Sequence, residues 1–285
     1  MKNTSINITG KLATGLVELY TDISRLADKL NIGFLVVGAM ARDLVLVHGF
    51  KAAIDRGTRD VDFGINVESW EDYYQLIESL VEDGFVQDQH IIHRLTRDGS
   101  DGHTWEVDIV PFGLIAHNNT IEWPPSQDIV MGVSGFTEAF ENAIDVKINE
   151  TPDIIIPVAS PAGISILKLI AWLERGADLK GKDAIDFGYL IQTYIKIPEI
   201  HRAIYDDGFA EEQGWDEVKA SAMKLGQDVA SIISVETKDI LEMQLFNLPE
   251  KKEQFARDMQ KGTYTDLAQC FDLISIFANE LVNHH

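Results

Sequence analysis

The sequence predicts an α+β chain in which strands and helices alternate up to about residue 159 and helices alone follow. Three observations lead there. Short apolar runs at 34–38, 60–65, 104–112 and 154–158 fall between stretches of helical periodicity. After Pro161 strand patterns nearly vanish, and six successive segments favour helix. In TRDVDFGI, residues 58–65, Asp60 and Asp62 alternate with Val61, Phe63 and Ile65. In a strand that alternation sends both carboxylates to one face and the apolar side chains to the other.

In chain order, Leu12, Leu16, Leu19, Ile23, Leu26 and Leu30 alternate steps of four and three, the apolar face of a helix over residues 11–30. Asn31 and Gly33 end it. FLVVG, residues 34–38, reads as a short buried strand, and AMARDLVLVHGF as a helix that stops near Gly49. A basic, turn-prone stretch, KAAIDRGT, leads into the strand of Asp60 and Asp62. Ser69 with Asp72 makes a capping box for a helix whose apolar side is Trp70, Tyr73, Ile77, Leu80 and Val81 and which Gly84 closes. Residues 90–97 and 104–112 read as strands joined by the turn-rich RDGSDGH, as in a hairpin. WPPSQ at 123–127 is a loop, and IIIPV at 154–158 is a strand. Helices are expected over 161–175, 182–194, 214–232, 236–246, 249–259 and 264–282. The expected division is 1–159 and 160–285, with no repeat, low-complexity tract or long linker.

Composition narrows the function. The 285 residues include 46 acidic and 24 basic side chains, a net charge of −22. Such a surface opposes broad, non-specific binding to nucleic acid or anionic membrane. A single cysteine, Cys270, rules out an internal disulfide and a cysteine-cluster zinc site. The start, MKNTSINITGKL, has no apolar core, and no apolar run has the roughly 18 residues of a membrane span. The expected setting is the cytoplasm.

Four motifs carry chemistry. Two like charges side by side on a sheet are unfavourable unless a cation lies between them, and hard divalent cations such as Mg²⁺ take carboxylate oxygens. Asp60 and Asp62 therefore suggest a metal site, and a metal site suggests phosphate chemistry; a solvated strand face is the alternative. Thr58 and Arg59 place a donor and a cation beside them. Asp108, in WEVDIVPFG, lies on a strand that reads as buried, with Glu106 on its face. A buried carboxylate needs a partner, and an ion pair to Arg94 or Arg97 serves as well as a metal. Gly38 and Ala39 stand where a strand meets a helix, a place whose free N–H groups favour phosphate, with Arg42 one turn on; a plain tight turn is the alternative. Lys168 lies among apolar residues in ISILKLIAWL, and Asp178, Lys182, Asp183 and Asp186 form D-x₃-K-D-x₂-D, which also fits a solvated helix start. His90 and His93 make an H-x-x-H with poor metal geometry. Gly-rich dinucleotide, Walker and G-x-S-x-G motifs are absent.

The order strand–Gly38–helix, Asp60-x-Asp62, then Asp108 on a later strand resembles the nucleotidyltransferase fold of the DNA polymerase β superfamily. With Lys168 and the D-x₃-K-D-x₂-D segment, it is similar to the AbiEii/AbiGii toxin-type nucleotidyltransferases over roughly residues 30–195. VVGAMARDL, TRDVDFGI, VDIVPFG and KDAIDF carry the likeness. The resemblance implies a mixed sheet flanked by helices, followed by a C-terminal helical bundle that completes the active-site cleft. It implies Asp60, Asp62 and Asp108 as ligands of two Mg²⁺ ions, with Asp108 also orienting or deprotonating the acceptor hydroxyl. Gly38, Ala39, Arg42 and Arg59 would bind the nucleotide. Lys168, adding positive charge near the phosphates, and Asp183 would be catalytic with the three aspartates, and Lys182 and Asp186 would bind the nucleotide from the helical side. A nucleoside monophosphate would pass from an NTP to a tRNA, a protein or a small molecule, with pyrophosphate released. The likeness further implies a toxin of a toxin–antitoxin or phage-defence system, with a cognate antitoxin. Superfamily members usually carry Gly-Gly or Gly-Ser at the first turn, so Ala39 lacks a hydroxyl for the phosphate. That departure leaves a non-catalytic nucleotide- or partner-binding module as the second reading.

Overall fold

The computed structural model describes residues 5–54, 60–175, 180–262 and 266–283. Thr58, Arg59 and Asp178 lie outside them. Two compact units emerge, one of Met1–Gly49 with Arg56–Ser160, the other of Phe50–Asp55 with Pro161–His285.

The first unit runs β1 (Ile6–Asn7), α1 (Thr14–Leu30), β2 (Gly33–Val37), α2 (Gly38–Arg42, continuing as a π-helix over Asp43–Gly49), β3 (Asp60–Asn66), α3 (Trp70–Glu82), β4 (Val86–Gln87), β5 (Arg94–Asp98), β6 (Thr104–Phe112), β7 (Thr120–Glu122), β8 (Val130–Gly132), α4 (Phe136–Glu141), β9 (Ile144–Asn149) and β10 (Ile154–Val158). One mixed sheet has the order β1-β9-β10-β2-β3-β6-β5-β4, and β7 with β8 forms a separate ribbon. β2 pairs antiparallel with β3, β3 parallel with β6, and β5 antiparallel with β6. β3 thus has a hydrogen-bonded neighbour on each side. Its burial follows the predicted alternation: Val61, Phe63 and Ile65 have no solvent exposure, Asp62 is partly buried and Asp60 is exposed.

Local sequence explains most of these elements. α1 buries Leu16, Leu19, Ile23 and Leu26, the predicted stripe, while Leu12 precedes the helix. Ala13 at its N-cap provides no side-chain bond. Instead the Gly15 N–H donates to Asp101 Oδ2 at 3.0 Å, so the β5–β6 turn caps α1 from a distance. A Cβ on Gly15 would stand 2.6 Å from Asp101 Oδ1, which explains the glycine in a helix. Asn31, left-handed at φ 56, closes α1, and Ser69 with Asp72 forms the predicted capping box on α3. The strand β9 is an addition to the expected elements: Ile144, Val146 and Ile148 alternate with Asp145, Lys147 and Asn149, and β9 folds back antiparallel on β10.

The second unit is helical: α5 (Pro161–Arg175), α6 (Lys182–Tyr194), α7 (Pro198–Asp206), α8 (Phe209–Glu212), α9 (Glu217–Ala230), α10 (Val235–Leu241, continuing as a π-helix over Glu242–Phe246), α11 (Pro249–Gln260) and α12 (Leu267–Asn283). α7 and α8 fall in a stretch where the sequence reading had placed no helix. α7 has proline at its start and buries only Ile200 and Ile204. An aromatic core joins α5, α6, α11 and α12, with ring centres 5.0 Å apart for Trp172–Phe255, 5.5 Å for Phe187–Phe255 and 5.0 Å for Phe187–Phe277. Tyr194 donates to Asp228 Oδ2 at 2.6 Å, tying α6 to α9. Tyr189 donates to the Ala53 carbonyl at 2.7 Å, which helps to hold 50–54 in this unit. No described helix is long and apolar enough to cross a membrane.

Candidate functional site

The sheet register builds the acidic face. Asp62 pairs with Asp108 and Asp60 with Glu106 across parallel β3 and β6. Residues in register on neighbouring strands point the same way, so four carboxylates share one face. On the far side of β6, Arg94 stands opposite Asp108. Its Nε donates to Asp108 Oδ1 at 2.7 Å and its Nη2 to Asp108 Oδ2 at 2.8 Å, a bidentate fork, while Nη1 donates to Glu106 Oε2 at 2.6 Å. Hydrogen bonding to Asp108 raises the Arg94 pKa against the opposing effect of burial, helped by the charges of Asp108, Glu106 and Asp60. Of the two arginines that the sequence offered Asp108, the fold chose Arg94. Arg97 pairs with Asp22 at 3.0 Å.

Gly38 borders this face. Val37, the residue before it, is in register with Asp62. Gly38 has φ +72, and a Cβ there would lie 2.0 Å from Asp62 Oδ2. Both the backbone conformation and the space demand glycine. Ala39 follows in the first turn of α2. Arg42 is fully buried and holds Asp43 through Nε–Oδ1 at 2.9 Å and Nη2–Oδ1 at 2.8 Å. It braces the turn, and its guanidinium has no surface to offer a phosphate.

The fold brings two further side chains into the neighbourhood of the aspartates, His93 and Tyr20. His93, set aside in the sequence as half of an H-x-x-H with poor metal geometry, has its Nε2 4.0 Å from Asp108 Oδ2 and its ring centre 6.0 Å from that of Trp123. Tyr20 is fully buried, and burial followed by the charges of Asp62 and Asp43 pushes its phenol well above the usual pKa.

The helical unit brings its own predicted residues together. Lys168 on α5 reaches Asp183 Oδ1 at 2.8 Å and Asp186 Oδ2 at 2.7 Å on α6. Burial pulls the Lys168 pKa down, yet Asp186 and Asp183 more than offset it, and the net direction is up. Asp183 and Asp186 are buried, and Lys182, at the start of the same helix, is exposed. Arg59, the remaining predicted nucleotide contact, lies outside the described residues.

The donor set of the acidic face suits Mg²⁺ in kind, since carboxylate oxygens are what a hard cation takes. Its convergence is limited: among the described residues no group of three or more His, Cys, Asp or Glu could hold a metal ion. The Arg94 fork engages both oxygens of Asp108.

A mixed sheet with a strand–glycine–helix turn, an aspartate pair on the next strand and a third aspartate in register beside it defines a nucleotidyltransferase-like protein. A family model described as "Nucleotidyl transferase AbiEii toxin, Type IV TA system" matches residues 23–272. The chain belongs to this AbiEii family of type IV toxin–antitoxin systems. No curated protein matches the chain.

Proposed function

We propose that the chain is the toxin of its pair and acts as a Mg²⁺-dependent nucleotidyltransferase, moving a nucleoside monophosphate from an NTP to a hydroxyl acceptor with release of pyrophosphate. The observation that carries this reading is the register of Asp62 with Asp108 on adjacent strands, with Gly38 packed against Asp62. Asp60 and Asp62 would hold Mg²⁺, which when bound neutralises triphosphate charge and polarises the reacting phosphorus. At Gly38 and Ala39 the phosphates would meet backbone N–H groups alone, because Ala39 has no hydroxyl. Asp108 keeps lone pairs beyond the two that Arg94 uses, and with them it would accept the hydrogen of the attacking hydroxyl and aim its oxygen. Among the acceptors that the chemistry allows, a net charge of −22 favours a protein hydroxyl or a small cationic molecule over a large RNA.

The test is incubation of the chain with each labelled NTP and a cell extract. One product should become labelled, only with Mg²⁺, and Asp62→Asn should slow labelling by about 100-fold or more. Calorimetry that shows no Mg²⁺-dependent NTP binding would overturn the proposal. Nucleotide binding without any labelled product would instead favour a binding module that keeps the fold without turnover, the reading that Ala39 supports.

A further inference from the structure

We propose that His201, Tyr205 and Trp215 form an aromatic step on which an arginine-bearing, basic segment of a partner protein docks. The step lies wholly within the helical unit and is independent of the acidic face of the sheet. α7 turns Ile200 and Ile204 inward, while His201 and Tyr205, neighbours at i and i+4, are both exposed. Their ring centres lie 5.1 Å apart, and the Tyr205 ring is 6.5 Å from that of Trp215, tilted by 31°. The Tyr205 hydroxyl donates to Glu217 Oε1, which fixes the middle ring. Trp215 is 67% exposed and Tyr205 40%, so neither ring is committed to the core. Trp215 also has φ +69, a strained left-handed conformation for a residue with a side chain, and its N–H donates to the Ala210 carbonyl at 2.7 Å. The turn thus holds a large aromatic group in solvent, in a backbone conformation that asparagine or glycine would adopt more easily. Tryptophan and tyrosine presented in this way are the residue types on which interface energy concentrates.

Charge selects the occupant. Residues 198–219 carry seven carboxylates against two cations, and both cations are already paired, Arg202 with Glu199 and Lys219 with Asp272. Asp206, Asp207, Glu211 and Glu212 are exposed and make no ion pair among the described residues. A guanidinium suits both features, because it stacks on an open aromatic face and forks to carboxylates. Nucleic-acid bases could stack on the same rings, but their phosphates would meet this negative surround.

Fluorescence anisotropy of a labelled arginine-rich peptide titrated with the full chain tests this, with the lysine and citrulline counterparts of the peptide beside it. The arginine peptide should bind most tightly and the citrulline peptide least. Trp215→Asn leaves the net charge unchanged and should weaken the arginine peptide about 10-fold or more. Its thermal unfolding midpoint should stay level or rise, since asparagine tolerates the left-handed conformation. Equal affinity of wild type and Trp215→Asn would mean general attraction to an acidic chain and would overturn the proposal. A lowered midpoint in Trp215→Asn would do the same, by making the ring a structural one. So would a single-stranded oligonucleotide that binds more tightly than the arginine peptide, or equal binding of the arginine and citrulline peptides.

Discussion

Gly38 is the residue on which the acidic face depends most tightly. Its positive φ costs a side-chain-bearing residue about 1–2 kcal/mol, and the added methyl would collide with Asp62. Gly38→Ala is therefore expected to lower stability by at least that amount in urea titration and to weaken Mn²⁺ binding, because Asp62 must move. An unchanged Mn²⁺ affinity would show that Asp62 is not a ligand. Arg42 teaches the opposite lesson. One turn beyond a phosphate-type turn, an arginine looks like an anion contact, yet here it is buried on Asp43. Arg42→Met should cost about 3–5 kcal/mol by breaking this buried ion pair, read as a shift in the denaturant midpoint. Neither spacing nor composition tells a paired arginine from a presented one, since the difference lies in which way the helix turns its face.

At the scale of elements, the Lys168–Asp183–Asp186 trio pins α5 to α6. Removing the lysine leaves two buried carboxylates facing each other, and Lys168→Ala should destabilise the chain by about 3–5 kcal/mol. The pH dependence follows from the direction of the shift. Lys168 has its folded pKa raised, so its contribution is complete below the ordinary lysine value of about 10.4 and is lost as pH rises through the higher folded value. The stability gap between wild type and Lys168→Ala should stay constant from pH 7 to about pH 10 and narrow above it. A gap that shrinks already near neutrality would mean that the lysine is not charged in the trio. Element identity was largely legible: the leucine stripe of α1, the Ser69–Asp72 box and the alternation of β3 are local signals, and local sterics and hydrogen bonding are enough to act on them. α7 and α8 escaped because their apolar positions are too few to show a period, and they hold their shape by packing on α9.

For the whole molecule, charge makes the clearest forecast. With −22 net charge the chain should pass through a heparin column at about 0.15 M salt, and random duplex DNA should show no anisotropy change with it. Tight retention would reveal a basic surface and reopen large RNA acceptors. The sequence by itself determined the α+β character, the family and the three aspartates, because periodicity, turn residues and motif order are written along the chain. Only the tertiary structure decided what those aspartates touch. The register of β3 on β6 set Asp62 beside Asp108, and β5 then delivered Arg94 to Asp108. A strand's own sequence states which residues share a face. Its neighbours, brought from 14 or more positions away, decide whether that face meets a guanidinium or stands open to a cation.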